Sequence, residues 1–471
     1  VKPMPINRRQ MLAGTAAAFA MIGGVPVMLR AEKAGDGLTE LKIQKVPRVI
    51  LEGGKEARLW TYNGINPGPE IRVSRHRQVK VRLVNGLDEP TMLHWHGIRI
   101  DNTMDGSPLT QNPVQPGEAF EYVFTAPDAG TYWYHPHIGS SRQVEHGLYG
   151  ALIVEEKTPP ADTEELTLVL DDWLINDDGT INQQGFGDIR MAAHGGRLGN
   201  WFTVNGQSRP RLAAPAGKRL RLRLISCANA RIMNLQIKGA EPYIVALDGQ
   251  PLKAARALGS DPLQLGPGGR ADLMIRRASD EIILANLNRA NEPLEVAYVD
   301  RTGDQGEADT GDMAALPGNG LPASLDIAGV TPSELVMEGG AMGGLAGAKL
   351  RGRDVEMREL VQNGMAWAFN GVAGMTEEPF VSLKKGDTAV FDFVNKTAWP
   401  HAMHLHGHHV LPLTIDDKPI ADQDWRDTVV MSANSKMRVA FVADNPGKWM
   451  LHCHMLEHQA AGMMTWINVE I

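Results

Sequence analysis

The chain has 471 residues, 43% of them apolar, and a net charge of −8 from 47 basic and 55 acidic side chains. That is the make-up of a globular protein of about three domains. The mild, dispersed charge offers no basic face for nucleic acid, and no apolar run beyond the N-terminus is long enough for a membrane span.

Residues 1–36 read as an export signal. Arg8-Arg9 precedes Gln10-Met11-Leu12 and a weakly apolar, Ala- and Gly-rich stretch from Ala13 to Leu29. A basic region followed by a short apolar one is the pattern of a secretory signal, and the paired arginines resemble the twin-arginine type. The expectation is a bacterial periplasmic or secreted protein, cleaved near Ala31 to Asp36, with no membrane attachment after processing. The alternative is a frayed basic tail.

From residue 37 onward, period-two alternation dominates, which argues for half-buried strands. Val79, Val81 and Leu83 alternate with Lys80, Arg82 and Val84. Leu220, Leu222 and Leu224 alternate with Arg221, Arg223 and Ile225, and Phe391 and Phe393 with Asp392 and Val394. Each run ends in a turn-like patch: Asn85-Gly86, Cys227-Ala228-Asn229 and Asn395-Lys396. A second segment recurs after each. It is Leu93-His94-Trp95-His96-Gly97 in the first third, Met233-Asn234-Leu235-Gln236-Ile237 in the middle and Met403-His404-Leu405-His406-Gly407 in the last. A third recurrence pairs Gly130-Thr131-Tyr132-Trp133-Tyr134-His135-Pro136-His137 with Gly447-Lys448-Trp449-Met450-Leu451-His452-Cys453-His454, and the matching middle segment, Ile282 to Leu287, has no histidine. The expectation is an all-β chain of three tandem β-sandwich domains, over residues 37–158, 159–302 and 355–471. The Gly-, Ala- and Asp-rich stretch 303–354 is expected as a linker.

Most of the 15 histidines fall into four clusters, each with a His-x-His pair: His94/His96, His135/His137, His404/His406 and His452/His454. Residues i and i+2 of a strand face the same side, so each pair aims two imidazoles at one place. Imidazole suits Cu, Zn, Fe and Ni. Cys453 lies between His452 and His454, so its sulfur points to the opposite face, where His401, His458 and Met463 can join it. Two His, one Cys and a weak axial Met make the blue-copper set for electron transfer. Zinc also accepts His and Cys, but it is a poor match for a thioether and has no redox chemistry. A Cys227–Cys453 disulfide, the other reading of two cysteines in an exported chain, conflicts with this role.

His94-Trp95-His96-Gly97, Tyr134-His135-Pro136-His137, Pro400-His401-Ala402-Met403-His404-Leu405-His406-Gly407-His408, and His452-Cys453-His454 through His458 to Gly462-Met463 resemble the four copper signatures of the multicopper oxidases. The resemblance covers residues 40 to 471. It implies three cupredoxin-like Greek-key domains and four copper ions. His401, Cys453, His458 and Met463 would bind the type-1 copper, and His94 and His404 the type-2 copper. His96, His135, His137, His406, His452 and His454 would bind the type-3 pair. The three-copper cluster would lie between the first and third domains.

The implied activity is one-electron oxidation of a small reducing substrate coupled to reduction of O2 to water. Cys453, covalently joined to His452 and His454, would carry electrons between the two sites. Asp105, in Met104-Asp105-Gly106, would supply protons; an Asp-Gly turn is the other reading. Where several bacterial relatives carry an acid after the type-1 histidine, this chain has Gln459. Met463 implies a moderate type-1 potential. Phenols or aromatic amines, as in laccases, are the expected donors. Cu(I) is the alternative, suggested by Met337, Met342, Met357, Met365 and Met375 among 22 methionines, since thioethers favour Cu(I). A non-enzymatic exported protein of the same fold is a third reading, against which the full ligand set speaks. The other histidines, His76, His146, His194, His408 and His409, are expected at the surface or around the ligands. A monomer is expected.

Overall fold

The strand Gln78–Val84 buries Val79, Val81 and Leu83 and exposes Lys80 and Arg82, because successive side chains on a pleated strand point to opposite faces. It sits in a four-stranded sheet ordered Glu56–Tyr62, Thr39–Val49, Gln78–Val84, Ala119–Thr125. A second sheet, Gly68–Ser74, Gly150–Glu155, Gly130–His135, His94–His96, completes the first unit. Leu41, Val81, Leu83, Trp95, Tyr134 and Leu152 are among the residues packed between them. The computed structural model describes residues 37–288, 290–303 and 313–471; the export-signal reading of residues 1–36 lies outside them.

The middle unit is one nine-stranded sheet whose main path runs Trp201–Val204, Thr163–Trp173, Arg219–Ser226, Arg270–Leu287, Met233–Leu247, Gln250–Ala257. The third unit has a nine-stranded sheet and a five-stranded one. The latter is ordered Val381–Lys384, Met464–Glu470, Gly447–Cys453, His401–Leu405, Thr428–Met431. Helices are short, the longest among the described residues having six residues, and none is long and apolar enough to cross a membrane. The chain is mostly β with three units in tandem, as the alternation implied.

Two features depart from the sequence reading. Residues 303–354 are not uniformly a linker, because Ser333–Gly339 pairs in parallel with Thr388–Asn395 and extends the third unit's larger sheet. Leu335 and Met337 alternate into its core, a short signal masked by the Gly- and Ala-rich residues around it. Gly347–Leu350 joins the same sheet.

The strand Arg219–Ser226 is also buried on both faces. Its leucines enter the middle core, while Arg221 and Arg223, nearly unexposed, face the first unit instead of water. Arg221 donates to Glu156 at 2.8 Å and Asp272 at 2.6 Å. Arg223 donates to Glu165 at 2.6 Å, and Thr131 of the first unit donates to Asp272 at 2.6 Å. Alternation alone cannot tell a face covered by water from one covered by a neighbouring domain. Burial works to raise the Glu165 carboxyl, but Arg223 and Arg221 outweigh it and hold the group at about 2. Removing one member of such a network strands the rest without compensation. Arg221→Met is therefore expected to destabilise the apoprotein by about 3–5 kcal/mol, read as a lowered midpoint in chemical denaturation. A cost under about 1 kcal/mol, the range of an exposed pair, would refute the buried-network account.

Candidate metal centre

The outer units present their histidines through the same ladder. In the first, the antiparallel strands His94–His96 and Gly130–His135 set His94 opposite His135. In the third, His401–Leu405 and Gly447–Cys453 set His404 opposite His452 and Met403 opposite Cys453. The middle unit keeps the ladder, with Leu235 opposite Asn286 and Gln236 opposite Ala285, but has no imidazole there.

Eight rings converge from the two outer units. His94 stacks on His406 at 3.9 Å and His96 on His404 at 3.9 Å. His406 and His452 bring their Nε2 atoms to 3.0 Å, and His137 and His452 to 3.3 Å. The ligand atoms of His137, His406 and His452 lie within 4.8 Å of one another, as do those of His94, His404 and His406, and those of His94, His96 and His135. All eight side chains are buried, and burial lowers the proton affinity of His96, His135, His137, His404, His406, His452 and His454, that of His137 to about 3.

Hydrogen bonds on the outer nitrogens decide which nitrogens point inward. The Nδ1 atoms of His94, His135, His404 and His452 donate to the carbonyls of Asp105, Pro136, Asp427 and Cys453, at 2.8, 2.9, 3.0 and 2.9 Å. A carbonyl only accepts, so each Nδ1 carries the proton and each Nε2 presents a lone pair to the centre. His406 Nδ1 contacts the Asp105 carboxylate at 3.0 Å. His96 is reversed: its Nε2 faces the Asp427 carboxylate at 3.2 Å, which leaves Nδ1 inward. The buried Nε2 atoms of His94, His135 and His404, Nδ1 of His96 and both ring nitrogens of His454 have no protein partner. Buried polar atoms are almost always satisfied, so these converging orphaned lone pairs fit a metal cluster.

On the other face of the same strand, Cys453 Sγ lies 3.7 Å from Nδ1 of both His401 and His458. His458 comes from the short helix Leu456–Ala460. Its Nε2 donates to the His194 carbonyl at 2.8 Å, and His401 Nε2 shares a hydrogen bond with Thr397 Oγ1 at 2.9 Å. Burial lowers His458 to about 4, against the pull of the His194 carbonyl, and pushes the Cys453 thiol up to about 12. The imidazoles are thus neutral, as metal ligands must be, and a bound cation would release the thiol proton. Met463 is buried in the same core, with its carbonyl accepting from Cys453 N at 3.1 Å. Both cysteines are free.

Asp105 is buried beneath the cluster, its carboxylate 3.0 Å from His406 Nδ1 and 3.3 Å from His94 Nδ1. Burial acts to raise its carboxyl, but the contacts with His406 and His94 hold it below the ordinary range. Gln459 lies at 3.5 Å from His137 Nε2. Beside them a cavity of about 570 Å³ is lined by Pro108, Leu109, Met375, Leu456, Gln459 and Met464, among others. Of the remaining histidines, His146, His408 and His409 are buried, and His76 and His194 are exposed. Sequence reasoning missed Asp427, Arg270 and Glu457. Glu457 accepts from Ser141 Oγ at 2.6 Å, Asn229 Nδ2 at 2.9 Å and Arg197 N at 2.9 Å, tying the His458 helix to both other units. None of the three sits in a repeated motif, so no pattern marked it.

Comparison with known proteins agrees with this geometry. Family models described as multicopper oxidase match residues 44–159, 154–282 and 352–471. Multicopper oxidase MmcO of Mycobacterium tuberculosis is 31% identical over 459 residues, covering 90% of this chain and 85% of its own. The crystal structure of a multicopper oxidase from Pseudomonas thermotolerans is 35% identical with a TM-score of 0.79, covering 93% of this chain and 100% of that one. Lac15, from a marine microbial metagenome, is 34% identical with a TM-score of 0.71, covering 91% and 99%.

Proposed function

The chain belongs to the multicopper oxidase family, O2-reducing oxidoreductases with copper-binding histidine clusters, and from that premise we propose that it is a laccase-like oxidase of phenols and aromatic amines holding four coppers. His401, Cys453, His458 and Met463 hold the type-1 ion, His94 and His404 the type-2 ion, and His96, His135, His137, His406, His452 and His454 the type-3 pair. Bound there, copper supplies a one-electron acceptor at the sulfur site and, at the cluster, the four-electron reduction of O2 to water.

The single observation that carries this reading is the two-faced strand end: sulfur between two imidazoles on one side, the eight-ring cluster on the other. Cys453 joins the two sites through its own backbone. The His452 Nδ1–H that donates to the Cys453 carbonyl at 2.9 Å adds a shorter connection. The apolar lining of the cavity beside His137 suits entry of O2. The Asp105 carboxylate, kept ionised by His406 and His94, is placed to accept and pass on protons within reach of the cluster histidines.

Support for an aromatic donor comes from the surface over His458. That ring is itself fully buried, so donors meet the cap formed by His194 and Trp399, whose rings stand edge to face at 5.2 Å. Trp399 Nε1 donates to the Ala341 carbonyl at 3.0 Å, which fixes an indole beside the entry point. The methionines that suggested Cu(I) are dispersed. Met337 is a core residue, Met357 and Met365 pack on a small satellite core, and Met375 lines the cavity beside His137. Only Met342 is prominently exposed near the cap.

Oxygen uptake should therefore be faster with a phenol than with Cu(I) at matched concentrations; the reverse order would make the protein a cuprous oxidase. Cys453→Ser should abolish the blue absorption and turnover while the cluster still binds copper, and a variant that retained turnover would defeat the relay. Asp105→Asn should slow turnover about a hundredfold, the scale of a lost proton-transfer group, and should change the pH profile. An unchanged rate and profile would remove Asp105 from the proton path.

A further inference from the structure

The middle unit gives no histidine to the cluster, yet one of its side chains reaches the cluster's inner wall. Arg270 is unexposed and grips the Asp427 carboxylate at two points, Nη1 to Oδ1 at 2.8 Å and Nη2 to Oδ2 at 2.5 Å. The remaining contacts of that carboxylate are with His96 Nε2 at 3.2 Å, His404 Nδ1 at 3.4 Å, Thr428 Oγ1 at 2.8 Å and His409 Nε2 at 3.6 Å. Arg270 also donates from Nε to the Thr131 carbonyl of the first unit at 3.2 Å and from Nη1 to the Gly268 carbonyl at 3.1 Å. One guanidinium thus touches all three units.

Two glycines show how tightly this junction is built. A Cβ on Gly97, the glycine that follows His96, would lie 2.1 Å from Arg270 Nη2 and 2.4 Å from Asp427 Oδ2. A Cβ on Gly268 would lie 2.8 Å from His96 Cε1 and 3.1 Å from His454. The middle unit's loop is therefore in van der Waals contact with the cluster rings.

An ionised carboxylate only accepts hydrogen bonds. His96 must present Nε2–H to it, which frees the orphaned Nδ1 for the cluster. His404, held through Nδ1 by the carbonyl and carboxylate of the same residue, frees its Nε2. The planar fork of an arginine fixes a carboxylate's orientation where a lysine ammonium does not.

We propose that Arg270 is a positioning residue for the copper cluster, acting through Asp427 to set which nitrogens of His96 and His404 face the metal. The inference rests on the copper reading above. It gives the unit without ligands a defined task in building the site at which His94 and His404 hold the type-2 ion.

The test uses copper-loaded full-length protein, with copper content, blue absorption and the type-2 electron paramagnetic resonance signal as readouts. Arg270→Met should leave the blue absorption intact while weakening type-2 copper binding about 10- to 100-fold, with the type-2 signal lost first on mild chelation. Arg270→Lys should recover only part of that loss. Asp427→Asn keeps the shape of the side chain and tests the same link if Arg270→Met folds poorly. Its NH2 group cannot accept from His96 while its oxygen faces Arg270, so it should show the same selective loss. Wild-type type-2 affinity in Arg270→Met and Asp427→Asn would overturn the proposal. A parallel loss of blue absorption and type-2 signal in both would overturn it too, since that marks a general clamp on the fold. A wild-type control without copper would sink the copper reading itself, an outcome distinct from either.

Discussion

A buried imidazole with an unsatisfied ring nitrogen is costly, and this protein gathers eight buried imidazoles, six of them with such a nitrogen. The arrangement holds because six of the eight rings have the outer nitrogen tied to a fixed acceptor. Four of those acceptors are backbone carbonyls, two of them at the end of the strand that carries the histidine, Pro136 for His135 and Cys453 for His452. The carboxylates of Asp105 and Asp427 serve His406 and His96. With the outer protons pinned, the inner lone pairs converge without choice. The ladder registers, the buried acids and the glycines at 97 and 268 all follow from that one requirement.

The sulfur site obeys the same rule at smaller scale. His458 is oriented by a carbonyl from the loop at His194, and the helix that carries it is held by Glu457 against Ser141 and Asn229. A residue beside the ligand thus anchors it to two other units. Both metal sites are products of the way the three units dock, not of any one of them.

Much of this was legible in the sequence, because strand geometry converts spacing into direction. His94 and His96 share a strand, whereas the other three strands end before the second histidine of the pair, and the repeat of the motif in the outer thirds predicted matching ladders. What was not legible is what depends on contact between distant segments. Arg221 and Arg223 read as solvent-facing but cover a domain interface, since alternation records polarity and not what covers it. The strand Ser333–Gly339 was hidden in a stretch whose composition suggested a linker. Asp427 and Arg270 lie in unremarkable sequence, and their importance arises only from three-dimensional proximity.

The cluster's histidines come from two ends of the polypeptide; His137 and His452, whose rings meet, are 315 positions apart. During synthesis at roughly 5 to 20 residues per second, the first half of the cluster therefore waits on the order of 15 to 60 s for the second. No nascent chain can assemble the whole histidine cluster, however much metal surrounds it. Full loading thereby becomes a record of completed assembly: a molecule carrying its whole complement has already brought its first and last units together correctly.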